Sequence, residues 1–274
     1  MPGMRAYRAL AAALAAATLV AGCGDGGRAG AGTTTTGVAT TNATTTDATS
    51  PTATTAPTLL RAADGVAISA AHGEAADPRA LILLFHQAGS GRGEYATVAP
   101  RLNAAGYETL AIDQRSGGDL FGRNETVARL GRSASYAEAE RDLEAAFAWA
   151  RTRRLPIVLW GSSYSAALAF RVAARHPGEV AAVLAFSPGE YLDAPDVVRI
   201  AAAKVAAPTY VTSASDPAEV AAARAILAAS PARTKVQSTP RAGVHGSSTL
   251  IPARNPTGAE ENWRTAMAFL DKLP

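Results

Sequence analysis

The feature that most constrains this chain is a set of short, wholly apolar runs separated by amphipathic stretches of helical length. Residues 81–85, 157–160 and 180–186 contain no polar side chain at all. A strand with one wet face would alternate apolar and polar residues, so runs of this kind must be covered on both sides. Further strands are read at 109–112, 209–213 and 235–238, and a leading hairpin over 59–70 turns at Asp64-Gly65. Helices are read at 94–105, 136–153, 163–175, 195–204, 217–229 and 257–270, and 116–135 as a loop. Strand and helix alternate along the whole stretch, which predicts an α/β fold: a doubly wound, mostly parallel sheet flanked by helices.

In such a sheet, ligands gather at the carboxyl ends of the strands. The residues that follow the apolar runs are His86-Gln87-Ala88-Gly89-Ser90, Asp113-Gln114-Arg115, Gly161-Ser162-Ser163-Tyr164-Ser165, Ser187-Pro188-Gly189-Glu190, Asp216 and His245. A serine, an acid and a histidine fall there in that order. A serine hydroxyl becomes a good nucleophile only when a base takes its proton and the backbone presents it to substrate. The strand-turn-helix device G-x-S-x-G does this, its small flanking residues letting strand and helix approach. Gly161 to Ser165 fits with Ser163 at the apex and Ser165 in place of the second Gly. Ala166-Ala167 follow, so the sharp turn is still possible.

These motifs resemble those of the α/β-hydrolases, and the compact layout is similar to their lidless, dienelactone hydrolase-like branch, over residues 59–274. The resemblance implies a base after the last strand, which singles out His245 rather than His72, His86 or His176. It implies an acid after an earlier strand, assigned to Asp216, with Glu190 and Asp193 as competitors. Asp216-Pro217-Ala218-Glu219 is also a good helix start, with an N-cap, Pro at N1 and Glu at N3. It implies an oxyanion hole from the Tyr164 amide and one amide of the 86–91 loop, Gln87 or Ala88. Asp113 to Gly118 resembles a structural turn of the family, and 118–124 reads as a surface loop.

The first 22 residues join Arg5 and Arg8 to an apolar run over 9–20 and then Ala21-Gly22-Cys23, which reads as a secretory signal. Val20-Ala21-Gly22-Cys23 resembles a bacterial lipobox, so Cys23 is expected to carry lipid and tether the protein to a membrane outside the cytoplasm. Residues 23–58 read as a disordered linker, with 14 Thr and a single charge, Asp47, over 33–58. The folded domain is expected over 59–274. That region carries a net charge of only +2 of the chain's +3, too balanced for a nucleic-acid surface. With one cysteine there is no disulfide framework or Cys-rich zinc site, and no phosphate loop or metal-type ligand cluster is present, so no cofactor is implied.

The expectation is a serine hydrolase cleaving esters of small, accessible substrates through an acyl-enzyme. Acyl transfer to another acceptor and a non-catalytic cell-envelope binding protein are the alternatives.

Overall fold

The computed structural model describes residues 55–273. The expected signal, Cys23 and all but the last residues of the linker lie outside the described residues. Strands β1 (Thr55–Arg61), β2 (Ala67–Gly73), β3 (Ala80–Phe85), β4 (Tyr107–Ile112), β5 (Ile157–Ser162), β6 (Val180–Phe186), β7 (Thr209–Thr212) and β8 (Lys235–Gln237) form one eight-stranded sheet. Their order is β1-β2-β4-β3-β5-β6-β7-β8. β2 pairs antiparallel with β1 and β4, and every other neighbouring pair is parallel. This is the expected α/β architecture.

The apolar runs explain the layers. Along β3, Leu81, Leu83 and Phe85 point into one core while Ile82 and Leu84 point into the other. β5 divides the same way, with Ile157 and Leu159 opposite Val158 and Trp160. Helices α3 (Tyr136–Arg151), α4 (Tyr164–Arg175), α5 (Val197–Ala202) and α6 (Pro217–Ala229) cover the first face. Helices α1 (Val98–Ala104) and α7 (Ala259–Leu270) cover the second. In α4, five alanines and other small or apolar residues let the helix lie close to the sheet, and Ala166, Ala167, Ala169 and Phe170 are wholly buried.

Several element ends shift by a few residues from expectation, and three of the differences have a clear physical reason. β1 begins at Thr55, inside the segment read as linker, and pairs Thr55 to Thr58 with Gly73 to Ala70. Pro57 does not prevent this because β1 is an edge strand and has a free side. The helix expected over 94–105 is split into a 3-10 turn, Arg92–Tyr95, and α1. Pro100, lacking an N–H, is tolerated only in a first turn, so the helix starts at Val98. The loop expected over 116–135 contains a short helix α2 (Glu125–Leu130), capped by the Asn124 side chain on Val127 N–H and closed by Gly131 at φ 69°.

Strand register brings the candidate residues to one edge. Phe85 is level with Ile112 and Gly161, Ser162 with Phe186, and Phe186 with Thr212. His86, Asp113, Ser163, Ser187 and Ser213 therefore leave the sheet side by side.

Candidate active site

Ser163 sits between β5 and α4 at φ 59°, ψ −125°, a backbone region that costs a non-glycine residue about 1–3 kcal/mol. Its own N–H donates to Phe186 O at 2.8 Å and its carbonyl accepts Ala166 N–H at 2.9 Å, which holds the turn in place. Gly161 is required because a Cβ there would stand 2.5 Å from Ala166 Cα. Ser165, in place of the motif's second glycine, is fully buried. Its hydroxyl donates to His86 O and accepts Gln114 Nε2–H at 2.7 Å, tying the elbow to the two neighbouring loops.

His245 leads into a 3-10 turn, Gly246–Leu250, and lies against the serine, with Nε2 2.8 Å from Ser163 Oγ. Its Nδ1 is 2.8 Å from Glu219 Oε1. A carboxylate only accepts, so Nδ1 carries the hydrogen and Nε2 is left to accept from the serine hydroxyl. Gly246 takes φ +67° and donates its N–H to Ser187 Oγ at 2.9 Å, and a Cβ there would meet Ser162 Oγ.

The acid expected at Asp216 is not the one the structure places there. Asp216 is exposed at the start of α6, and its Oδ1 accepts Ala218 and Glu219 N–H at 2.9 and 3.2 Å. Glu219, three residues further on, turns its half-buried carboxylate to His245 and accepts Ala214 N–H at 3.1 Å. Burial pushes the Glu219 carboxyl up, but the hydrogen bond and charge of His245 outweigh it and hold the group below its usual range. The competitor Glu190 is engaged elsewhere, accepting Val198 and Arg199 N–H at the start of α5. Glu219 was visible in the sequence only as the N3 residue of a capping pattern, and nothing in the pattern told which of the two carboxylates would turn outward.

The amides expected to polarise a carbonyl are not equivalent either. Tyr164 is the first residue of α4, so its N–H has no intrahelical partner and lies at the positive end of the helix. Gln87 N–H is taken by Glu94 Oε2 at 2.7 Å. That removes Gln87 from the pair of candidates in the 86–91 loop and leaves Ala88, for which no acceptor exists among the described residues.

His86, the loop's first residue, is fully buried and neutral. Nδ1–H donates to Gln87 O at 2.8 Å, Nε2 accepts Gln114 N–H at 2.9 Å, and burial lowers its pKa to about 4. Gln114 returns a contact, its Oε1 accepting His86 N–H, while Nε2 reaches Tyr164 Oη and Ser165 Oγ. The turn after β4 is fastened by Asp113, which accepts Arg92 and Glu125 N–H, and by Arg115, whose guanidinium bridges Asp142 and Asp64. The 118–124 stretch is pinned to the same loop by Gly118 N–H on Ser90 O and Leu120 N–H on Gly89 O. Leu120 is left half exposed.

Two residues beside the serine were not singled out by the sequence. Tyr191, on the loop after β6, donates to Ser187 O at 3.1 Å, and burial together with the Glu219 charge pushes its phenol up to about 12. Glu94, in the 3-10 turn after the loop, is buried to 1% exposure and accepts both Gln87 N–H and Ser162 Oγ–H, each at 2.7 Å.

A relative from Mycolicibacterium smegmatis, a monoacylglycerol lipase, is 32% identical over 130 residues, 47% of this chain and 45% of that protein. The chain thus spans about half the length of this curated relative. Among solved structures, a dienelactone hydrolase from Anabaena variabilis superposes with a TM-score of 0.64 at 20% identity, covering 81% of this chain and 99% of that one. An esterase from Pyrococcus furiosus gives 0.59 at 18% identity, covering 81% and 93%. At these identities the structural likeness establishes the fold, which is that of the α/β-hydrolases. The family model described as serine aminopeptidase, S33, matches residues 76–245, from before β3 through His245 and so across most of the sheet, the serine elbow and the histidine loop; this chain belongs to that family.

Proposed function

We propose that the protein is a serine esterase. The observation that carries this reading is the continuous relay from Ser163 Oγ through His245 to Glu219, two contacts of 2.8 Å at the carboxyl edge of the sheet. His245 Nε2 takes the hydroxyl proton as Ser163 Oγ adds to an ester carbonyl, and Glu219 stabilises the imidazolium that results. The tetrahedral oxyanion is held by the Ala88 and Tyr164 amides, each such donor contributing about 2.7 to 4 kcal/mol to the transition state. His245 returns the proton to the departing alcohol, leaving an acyl-enzyme. Water, deprotonated by the same imidazole, then releases the acid and regenerates Ser163.

The names of the relatives, a monoacylglycerol lipase and an esterase, favour an ester over a peptide. Only 22 residues join β6 to β7, and they contain the single six-residue helix α5. That length favours small or accessible esters over long acyl chains. The sequence around Cys23 supports a lipid-anchored protein acting outside the cytoplasm. The experiment that tests the enzymatic reading is labelling with a fluorophosphonate probe. The wild-type protein should be labelled and Ser163→Ala should not. A wild-type protein that is neither labelled nor active on p-nitrophenyl acetate would refute it.

A further inference from the structure

We infer that Glu94 is a positioning residue for this reaction, its buried carboxylate joining the oxyanion loop to the strand that delivers the nucleophile. The inference rests on the serine-esterase reading above. Oε2 accepts Gln87 N–H at 2.7 Å, and Gln87 immediately precedes Ala88, the amide left to face an oxyanion. Oε1 accepts Ser162 Oγ–H at 2.7 Å, and Ser162 immediately precedes the nucleophile. Ser162 Oγ in turn accepts Ser247 N–H at 2.8 Å, two residues beyond His245, and Ser247 Oγ accepts Trp160 Nε1–H at 3.0 Å. One carboxylate thereby links the three loops whose mutual position defines the site: the loop of Ala88, the elbow of Ser163 and the loop of His245.

A carboxylate suits this place because both of its partners donate. Charge-assisted bonds are roughly twice as strong as neutral ones. Protonation of Oε1 would reverse the bond to Ser162 and leave the serine hydrogen without an acceptor, in a pocket where an unpaired polar group is costly. No basic side chain is hydrogen-bonded to Glu94 among the described residues, so its charge is not consumed locally. Burial raises its pKa to about 7, while Gln87, Ser162, the nearby Ser90 hydroxyl and His245 pull it down. The attraction is mutual, and an ionised Glu94 favours the imidazolium formed as Ser163 attacks. The other ionisable groups around it are His86, kept neutral at the end of β3, Tyr95 beside it on the same turn, and the Asp113–Arg92 pair after β4.

The test is Glu94→Gln, which keeps the shape but presents an N–H2 where the carboxylate offered a second acceptor. With p-nitrophenyl acetate at pH 8, kcat should fall about 10- to 100-fold with KM within about threefold, the pattern of a misaligned oxyanion site rather than of weakened binding. The acid limb of kcat/KM should differ between wild type and variant, because only the wild type carries at position 94 a group that changes charge. A kcat within twofold of wild type and superimposable profiles would overturn the inference. If the variant does not fold, Ser162→Ala, which removes the contact between the carboxylate and the elbow, decides in its place: a kcat within twofold of wild type overturns the inference. Failure of the esterase reading looks different, since the wild type itself would then show no labelling at any pH.

Discussion

Glu219 Oε1 lies 2.8 Å from Nδ1 of His245, one helical turn along from Asp216, whose carboxylate is turned back onto the amides of its own helix. Two acids on one first turn thus divide the work: one starts α6, and the other reaches across to the histidine loop.

The division predicts opposite phenotypes. Glu219→Gln should lower kcat by about 10³- to 10⁴-fold with little change in folding, as loss of a histidine-orienting acid does in comparable triads. Asp216→Ala should leave kcat within a fewfold but cost roughly 0.5–2 kcal/mol through the lost helix cap, read as a lower Tm. Steady-state kinetics and thermal melts of the two variants check this. A kinetically dead Asp216→Ala beside an active Glu219→Gln would reverse the assignment.

Substrate length is the next test. No long cap joins β6 to β7, and the loop bearing the half-exposed Leu120 lies against Gly89 and Ser90. A deep apolar channel would favour longer acyl chains by about 0.8 kcal/mol per buried methylene. Acetate and butyrate esters should therefore be cleaved with higher kcat/KM than palmitate, with no jump in rate at a lipid interface. A steady climb in kcat/KM from acetate to palmitate would contradict an open site.

Attachment and catalysis should be separable. If Cys23 carries the lipid, wild-type protein expressed with its own leader in a bacterial host partitions into the membrane fraction, and Cys23→Ser moves to the soluble fraction. Esterase activity per molecule should be the same in both, because the folded part follows a Thr-rich segment. Equal partitioning of the two proteins would rule out lipidation at Cys23.

Glu94 also makes a prediction about stability. Its carboxyl is raised from 4.5 to about 7 by burial, so the folded chain holds that proton more tightly than the unfolded chain. The contribution is full below the unfolded value and is lost as pH rises from about 4.5 through about 7. Glu94→Gln cannot lose a proton, so its stability relative to wild type should improve by on the order of 3 kcal/mol between pH 4.5 and pH 8. Asp142, raised to about 6 by burial, follows the same direction in both proteins and cancels in the difference. Denaturant unfolding of both proteins across this range measures the trend. A difference independent of pH would show that Glu94 does not titrate there.

Much of this protein can be read from local pattern. The uninterrupted apolar runs at β3, β5 and β6 demand cover on both faces, and hence a parallel sheet with helices on each side. The small residues around Ser163 and the place of His245 before the last helix pointed to the same edge, and the structure brings those two side chains to 2.8 Å. Local pattern failed where a choice depended on direction in space. Asp216 and Glu219 are both acids on the first turn of α6, but only packing of that turn against the histidine loop decides which carboxylate caps and which reaches across. Gln87 and Ala88 are adjacent amides, distinguished by Glu94, whose place beneath the loop comes from the 3-10 turn that precedes α1. Glu94 itself reads in sequence as one more charged residue at a helix start. Its burial against Ser162 follows from the parallel register of β3 and β5, a long-range pairing that no window of neighbouring residues contains.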